Sequence, residues 1–148
     1  MRAEATSVSD ARLRAFVGYN MKRAMNVLQA DLARTLQPFG LRMLTFSTLS
    51  MIVENPGLRP SQLAEALLIE RANMVVYVDQ LEQAGWVTRA PNPLDRRAHA
   101  LHCTEAGASV YDQARAAVEA HDRRMLDSLR ADEVATVRKA LGRIEVGG

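Results

Sequence analysis

The chain has 148 residues, with 19 Lys and Arg against 17 Asp and Glu, 48% hydrophobic residues and one cysteine. This length predicts a single domain, and balanced charge with this apolar content argues against disorder. The lone Cys103 argues against a disulfide framework and fits a reducing setting. Because we find neither an apolar run of the roughly 18–20 residues that a membrane helix needs nor the apolar core of a signal peptide, we expect a cytoplasmic protein.

The net charge of +2 is small for a nucleic-acid-binding protein, so any DNA binding must depend on where the cations lie. Residues 57–104 are neutral overall, with five basic and five acidic groups. Within them, Arg89, Arg96 and Arg97 are opposed by Asp95 alone between residues 89 and 102. A basic cluster is therefore predicted on one short segment.

The first half of the chain is predicted to be helical after a flexible start at residues 1–10. Apolar residues at helical spacing predict a long helix over residues 11–36 and a second helix over residues 41–53. Pro60 suits the first turn of a short third helix, and a fourth helix ends at Gly85. The third and fourth helices are separated by a tight turn.

The second half of the chain is predicted to contain a β-hairpin and two more helices. A period near two at Trp86–Arg89 and at His99–Cys103 predicts two short strands, joined by a basic loop over residues 90–97. A long helix is expected from Thr104 to about residue 128, and a last one from Asp132 to Ile144. No internal repeat or low-complexity segment is found.

These elements place a middle lobe, residues 41–104, between two helical arms, residues 11–40 and 105–148. The apolar stripe of the first arm is wider than one neighbouring helix requires. Two copies of the arms would form a homodimer interface, and we favour this arrangement. The alternative is a monomer in which both arms pack on the middle lobe.

The order helix, turn, helix, hairpin is that of a winged helix-turn-helix, whose second helix presents its N-terminal side chains to the major groove. If Met74 and Val78 face inward, the outer face of that helix carries Arg71, Ala72, Asn73, Val75, Val76 and Asp79. Arg71 suits guanine, Asn73 suits adenine, and the alanine and valine methyl groups suit the methyl group of thymine. The alternative is an ordinary surface helix, for which two adjacent exposed valines would be unfavourable.

The hairpin loop is the second predicted DNA contact. Pro91 and Pro93 limit its backbone freedom, which lowers the entropy lost on ordering it. Arg96 or Arg97 on such a narrow loop can enter a minor groove, where the phosphates focus negative potential. Asp95 can accept hydrogen bonds that stabilise the loop. The alternative is a solvated charge cluster on a turn.

Five segments together resemble one protein family. They are Leu63-Ala64-Glu65-Ala66-Leu67, Val78-Asp79-Gln80-Leu81-Glu82, Gly85-Trp86-Val87-Thr88-Arg89, Asp95-Arg96-Arg97-Ala98 and Leu101-His102-Cys103-Thr104-Glu105-Ala106-Gly107. In these segments, and in the flanking long helices, the chain resembles the MarR family of bacterial transcriptional regulators. The resemblance implies a mainly α fold with a small β-hairpin wing, whose N- and C-terminal helices form a dimerisation region. It also implies a homodimer that binds a pseudo-palindromic DNA operator, usually as a repressor released by a small molecule.

The resemblance assigns the wing arginine to Arg97 and the wing-stabilising aspartate to Asp95. The recognition-helix contacts that it implies are Arg71, Ala72, Asn73, Val75 and Val76. The chain departs from the family here, because hydroxyl residues are common at Ala72 and Val75 and a basic residue is common at Val76. Arg59 stands where Ser or Thr often caps the third helix, and we expect it to reach a phosphate. We therefore expect a DNA binder that reads shape and methyl groups, with a modest salt dependence.

The resemblance further implies an effector cleft between the first, second and fifth helices. The residues expected at this cleft are Tyr19, Asn20, Arg23, Met43, Phe46 and Ser47, with Met51 at its border. An apolar cleft with one guanidinium and a few hydroxyl and amide groups suits an aromatic carboxylate or its thioester. The alternative is that Phe46 and the methionines belong to the core and that Arg23 is solvated.

The sequence gives little support for redox sensing, zinc binding or catalysis. Cys103 is expected to face inward with Leu101, where a thiol without a resolving partner is inert. The three histidines are too scattered to define a zinc site. We find no nucleophile-base set and no phosphate-binding loop, so we expect neither an enzyme nor a cofactor. The alternative function is a winged-helix protein-interaction module that docks through Val75 and Val76 without binding DNA.

Overall fold

The computed structural model describes residues 8–92 and 94–148, with the backbone alone for residue 92 and residues 95–98. Residues 1–7 of the predicted flexible start therefore lie outside the described residues. The elements are helices α1 (Val17–Leu36), α2 (Met43–Glu54), α3 (Pro60–Ala66) and α4 (Arg71–Gln83), strands β1 (Val87–Asn92) and β2 (Asp95–Cys103), and helices α5 (Glu105–Met125) and α6 (Ala131–Val146). Short 3₁₀ helices lie at Leu13–Ala15 and Gln37–Phe39.

The prediction of a single helix over residues 11–36 is wrong at its start, where the helix is interrupted. Phe16 is extended, with φ −98° and ψ 126°, and it separates the first 3₁₀ helix from α1. The Asn20 side-chain amide donates hydrogen bonds to the carbonyls of Arg14 and Phe16, at 2.8 and 2.9 Å. Because this side chain competes for backbone acceptors, it stabilises a break that apolar spacing cannot reveal.

The core lies in the middle lobe, where α2, α3 and α4 pack against the base of the hairpin. Its fully buried side chains include Leu49, Ile52, Leu63, Met74, Val78, Leu81, Val87 and Leu101. Leu58 pairs with Leu101 as an isolated antiparallel bridge, and the two residues bond through the Leu101 N–H and the Leu58 carbonyl at 2.8 Å. The base of the hairpin is thus attached to the helices.

The hairpin is longer than predicted, and the prediction of a basic loop over residues 90–97 is wrong. Pairing runs from Val87 with Cys103 to Pro91 with His99, and it resumes with Asn92 opposite Asp95. The shift between these last two pairs makes residues 96–98 a bulge in β2 rather than part of a loop. Pro91 is tolerated because, among the described elements, β1 has a neighbouring strand on one side only, so the missing N–H of Pro91 breaks few ladder bonds.

The two arms meet within one chain, because α1 packs along α5. Asp31 of α1 accepts a hydrogen bond from His121 of α5. Helix α6 has no buried residue. Exposed apolar side chains of the arms are Leu13, Phe16, Val17, Met21, Met25, Val27, Leu129, Val137, Leu141, Ile144 and Val146. Over the described ranges, every helix is too short or too polar to cross a membrane.

Candidate functional site

The outer face of α4 has the composition that the sequence predicts. Met74, Val78 and Leu81 are buried, whereas Val75 and Val76 are 46% and 50% exposed. Arg71, Ala72 and Asn73 are also exposed, at the N-terminal end of the helix. A surface with one guanidinium, one amide and several methyl groups is therefore open to a ligand, and it suits the edges of bases in a major groove.

Arg59 is the N-cap residue of α3, but its side chain makes no capping hydrogen bond, unlike the Ser or Thr that is common there. Its backbone N–H donates to the Gln62 side-chain oxygen at 3.0 Å, so Gln62 satisfies this donor at the helix start. The Arg59 side chain is exposed. It lies on the same lobe as α4, where a cation can reach a phosphate.

The wing is described in part. The side chains of Asp95, Arg96 and Arg97 lie outside the described residues, so their assigned roles stay predictions. Arg89, which the charge count placed with the wing cations, is paired with α4 instead. Its Nε lies 2.5 Å from Glu82 Oε2, and its Nη2 also contacts Asp79 Oδ1. This pairing cannot be read from the sequence, because the three residues belong to two different elements.

The Thr104-Glu105-Ala106-Gly107 segment joins the lobe to α5. Thr104 caps α5: its hydroxyl accepts from the Gly107 N–H at 3.0 Å and donates to the Gly85 carbonyl at 2.7 Å. A Cβ on Gly107 would lie 2.1 Å from the Trp86 carbonyl oxygen, so glycine is required for this close approach. The segment holds the end of α4, the first strand and α5 together.

Two residues of the predicted effector cleft interact with the chain's own N-terminal segment. The Tyr19 hydroxyl donates to the Asp10 carboxylate at 2.6 Å, and this hydrogen bond lowers the pKa of Asp10. Arg14 also pairs with Asp10, at 2.9 Å, and its guanidinium lies 5.4 Å from the centre of the Tyr19 ring. Asn20 holds the break before α1, as described above. Both polar groups thus have partners within the chain.

Of the α2 residues of the predicted cleft, Phe46 contacts α5, whereas Ser47 and Met43 bond to each other within α2. Phe46 stacks on Tyr111 with 5.8 Å between ring centres, and the Tyr111 hydroxyl lies 2.9 Å from Ser50 Oγ. Ser47 donates its hydroxyl to the Met43 carbonyl at 2.8 Å. Tyr111 and Ser50 are contacts that the sequence analysis missed, because their pairing spans 61 positions of the chain.

Two of the cavities that border α1 are lined by residues predicted for the effector cleft. The larger has a volume of about 520 Å³ and is lined by Gln29, Ala33, Gln37, Gly40, Leu41, Arg42 and Met43. The second, of about 380 Å³, is lined by Arg23, Asn26, Val27, Ala30 and Arg34. Met43 and Arg23 therefore line different cavities, and neither cavity is lined by Tyr19, Asn20, Phe46 or Ser47.

Cys103 is half-buried at the end of β2. Burial raises the pKa of its thiol, and its Sγ lies 3.3 Å from the Thr104 carbonyl oxygen. A raised pKa lowers the fraction of reactive thiolate. This environment agrees with the expectation of an inert thiol.

The lobe and its hairpin have the fold of a winged helix-turn-helix, a class of DNA-binding regulators. The family model of the MarR family matches residues 41–99. A protein of Thauera aromatica assigned to transcriptional regulation of the hcr operon is 31% identical over 128 residues, covering 83% of this chain and 77% of the relative. The chain belongs to the MarR family, as the sequence predicts.

Solved structures agree with this assignment. The repressor CouR bound to a 23-mer DNA duplex has a TM-score of 0.90 and 30% identity, covering 95% of this chain and 99% of CouR. CouR from Rhodococcus jostii RHA1 bound to p-coumaroyl-CoA has a TM-score of 0.78 and 29% identity, covering 86% and 90%. The Mycobacterium tuberculosis protein Rv2887 with salicylic acid has a TM-score of 0.70 and 29% identity, covering 87% and 96%. These similarities confirm a DNA-binding regulator rather than an interaction module without DNA.

Proposed function

We propose that this protein is a dimeric repressor of the bacterial cytoplasm, not an enzyme, that binds a pseudo-palindromic operator and is released by an aromatic carboxylate or its thioester. The observation that carries the proposal is the outer face of α4, where Arg71 and Asn73 precede the exposed Val75 and Val76. Two copies of this helix would enter successive major grooves about 10–10.5 bp apart. The dimer would then block transcription by occupying the operator.

The proposed wing contact is the entry of Arg97 into a minor groove beside each major-groove site, with Arg96 at the backbone and Asp95 stabilising the hairpin end. Its support is the position of Arg96 and Arg97 in the bulge of β2, next to the paired Asp95 and at the far end of the hairpin from the bridge at Leu101. A bulge bends the strand and increases its local twist, and bulges in proteins often re-aim side chains at functional sites. Arg59, which is exposed at the start of α3, would bind a phosphate.

The operator is found by selecting bound duplexes from random-sequence DNA, and a palindromic half-site is the expected result. With the selected duplex, Arg97→Ala should weaken binding and reduce the salt slope. Arg123→Ala is the matched control, because Arg123 is an exposed arginine of α5, outside the lobe. Equal affinity and salt slope for Arg97→Ala and the control would refute the wing contact.

The effector proposal is supported by the cavity of about 520 Å³, which falls within the roughly 300–1,000 Å³ typical of ligand sites. Leu41 and Met43 supply apolar surface, Gln29 and Gln37 supply amides, and Arg42 supplies one cation for a carboxylate. CouR with p-coumaroyl-CoA and Rv2887 with salicylic acid support the ligand class. Occupancy would change the angle between arms and lobe, and a coupling of about 1–3 kcal/mol changes DNA affinity 5–150-fold.

Two guanidiniums compete for the carboxylate role: Arg42 in the larger cavity and Arg23, predicted from the sequence, in the smaller one. A panel of aromatic acids and their thioesters is tested for release of the selected duplex. Arg42→Gln should raise the effector concentration needed for release, whereas Arg23→Gln should not. The opposite pattern would place the carboxylate at Arg23, and an unchanged gel shift across the panel would refute the effector class.

A further inference from the structure

Arg89 lies where the two DNA-binding elements of the lobe meet. It projects from β1 and contacts Asp79 and Glu82, which are three residues apart and so share one face of α4. The planar guanidinium donates through Nε to Glu82 and through Nη2 to Asp79, so one side chain holds two carboxylates at once. Its side chain is 27% exposed, against 49% and 46% for the two acids.

The position of Asp79 makes this pairing relevant to DNA. Arg71, Val75 and Asp79 follow one another at intervals of four residues, and so lie in one row of the α4 surface. A carboxylate in that row would repel phosphates if it were unpaired. The ion pair neutralises it with a cation that belongs to the wing.

The other end of Arg89 is fixed by the hairpin. Arg89 pairs with Leu101, which is fully buried and is bridged to Leu58. The residues beyond this pair, from Ala90 outward, have no other strand beside them among the described elements. The ion pairs of Arg89 connect this part of the wing to α4. They are therefore placed to set the direction in which the wing leaves the lobe.

We propose that Arg89 is a positioning residue for DNA binding. Its ion pairs with Asp79 and Glu82 set the angle between the wing and α4, so that the wing enters the minor groove while α4 lies in the major groove. This inference rests on the proposed DNA contacts of the wing. It makes Arg89 a structural cation, unlike Arg97, whose proposed partner is DNA.

The experiment removes the acidic side of the pairing. Asp79→Asn with Glu82→Gln takes two negative charges away from the lobe, so long-range electrostatics alone would strengthen DNA binding. Loss of the positioning contact predicts the opposite result: about two- to fivefold weaker binding of the selected duplex, since an exposed pair contributes up to about fivefold. Glu65→Gln with Glu70→Gln is the matched control, because both acids are exposed on the same lobe. This control should bind as tightly as wild type or more tightly.

Amide hydrogen exchange of the DNA-free protein gives a second readout, independent of the operator. The double variant at Asp79 and Glu82 should exchange faster in the hairpin, with unchanged exchange in α5, whereas the control pair should match wild type. Arg89→Lys, which keeps the charge but not the fork, should be intermediate in both measurements. DNA affinity that rises or stays constant, or hairpin exchange equal to that of the control, would overturn the proposal. Failure of the wild type to select a duplex would instead count against the proposed function.

Discussion

His121 Nδ1 lies 2.7 Å from Asp31 Oδ2, which joins helices that are 90 positions apart in the sequence. His121 is buried, and the Asp31 side chain is 19% exposed. Arg124 also contacts Asp31, and Arg34 lies 3.2 Å from its other oxygen. One carboxylate thus collects three donors where the N-terminal and C-terminal arms cross, within a single subunit.

The Asp31 cluster predicts an acid-dependent loss of stability. The hydrogen bond from His121, followed by those from Arg124 and Arg34, lowers the pKa of Asp31 from 3.8 to about 2. Because the pKa is lower in the folded state, the stabilisation is complete above 3.8 and is lost as pH falls through about 2. Asp31→Asn should therefore unfold at lower urea concentration than wild type near pH 6, and the difference should shrink toward pH 2. Asp127→Asn, at an exposed acid of the same arm, is the control; a difference that stays constant with pH would contradict the prediction.

The Thr104 cap predicts a local contribution to stability. Thr104→Ala removes the acceptor of the Gly107 N–H and the donor to the Gly85 carbonyl, and loss of such a cap costs about 0.5–2 kcal/mol. Thr104→Ser keeps the hydroxyl and should retain most of the stability. Urea unfolding of both variants measures the effect. Equal losses for alanine and serine would show that the methyl group, rather than the cap, matters.

The apolar stripe of α6 predicts the dimer surface. Val137, Leu141 and Ile144 recur on one side of the helix and are 46%, 43% and 54% exposed. Ile144→Glu would place a charge in this stripe and should raise the dimer dissociation constant, because a buried unpaired carboxylate is costly. Ala135→Glu adds the same charge on the opposite side and should leave the dimer intact. Sedimentation over a concentration series measures the dimer dissociation constant of both variants. Equal dissociation constants would show that this stripe is not part of the interface.

The half-buried thiol predicts insensitivity to peroxide. The raised pKa of Cys103 keeps its thiol protonated near neutral pH, and oxidation follows the thiolate. Peroxide-treated wild type should bind the selected duplex as well as the Cys103→Ser variant does. Mass spectrometry of the intact protein shows whether any oxidation occurred. Release of DNA by peroxide in wild type alone would assign Cys103 a sensing role.

The sequence predicts those features that depend on local pattern. Periodicity identifies α4 and its outward valines, and the Thr104-to-Gly107 segment identifies the start of α5. Three features escape it because they depend on contacts between distant elements: the pairing of Arg89 with α4, the stacking of Phe46 on Tyr111, and the cavity at Arg42. The wing length was also mispredicted, since Pro91, which indicated a loop, stands in the ladder opposite His99.

The absence of any buried residue in α6 links folding of this helix to assembly. A helix of 16 residues is only marginally stable in water unless its apolar face is packed. The C-terminal helix of an unpaired subunit would therefore unfold readily. Proteases cleave segments that open readily, and they would remove single subunits while sparing assembled ones. The cell would then keep repressor only as pairs, and a truncated or mutant subunit that cannot pair would disappear rather than accumulate as a competitor for the operator.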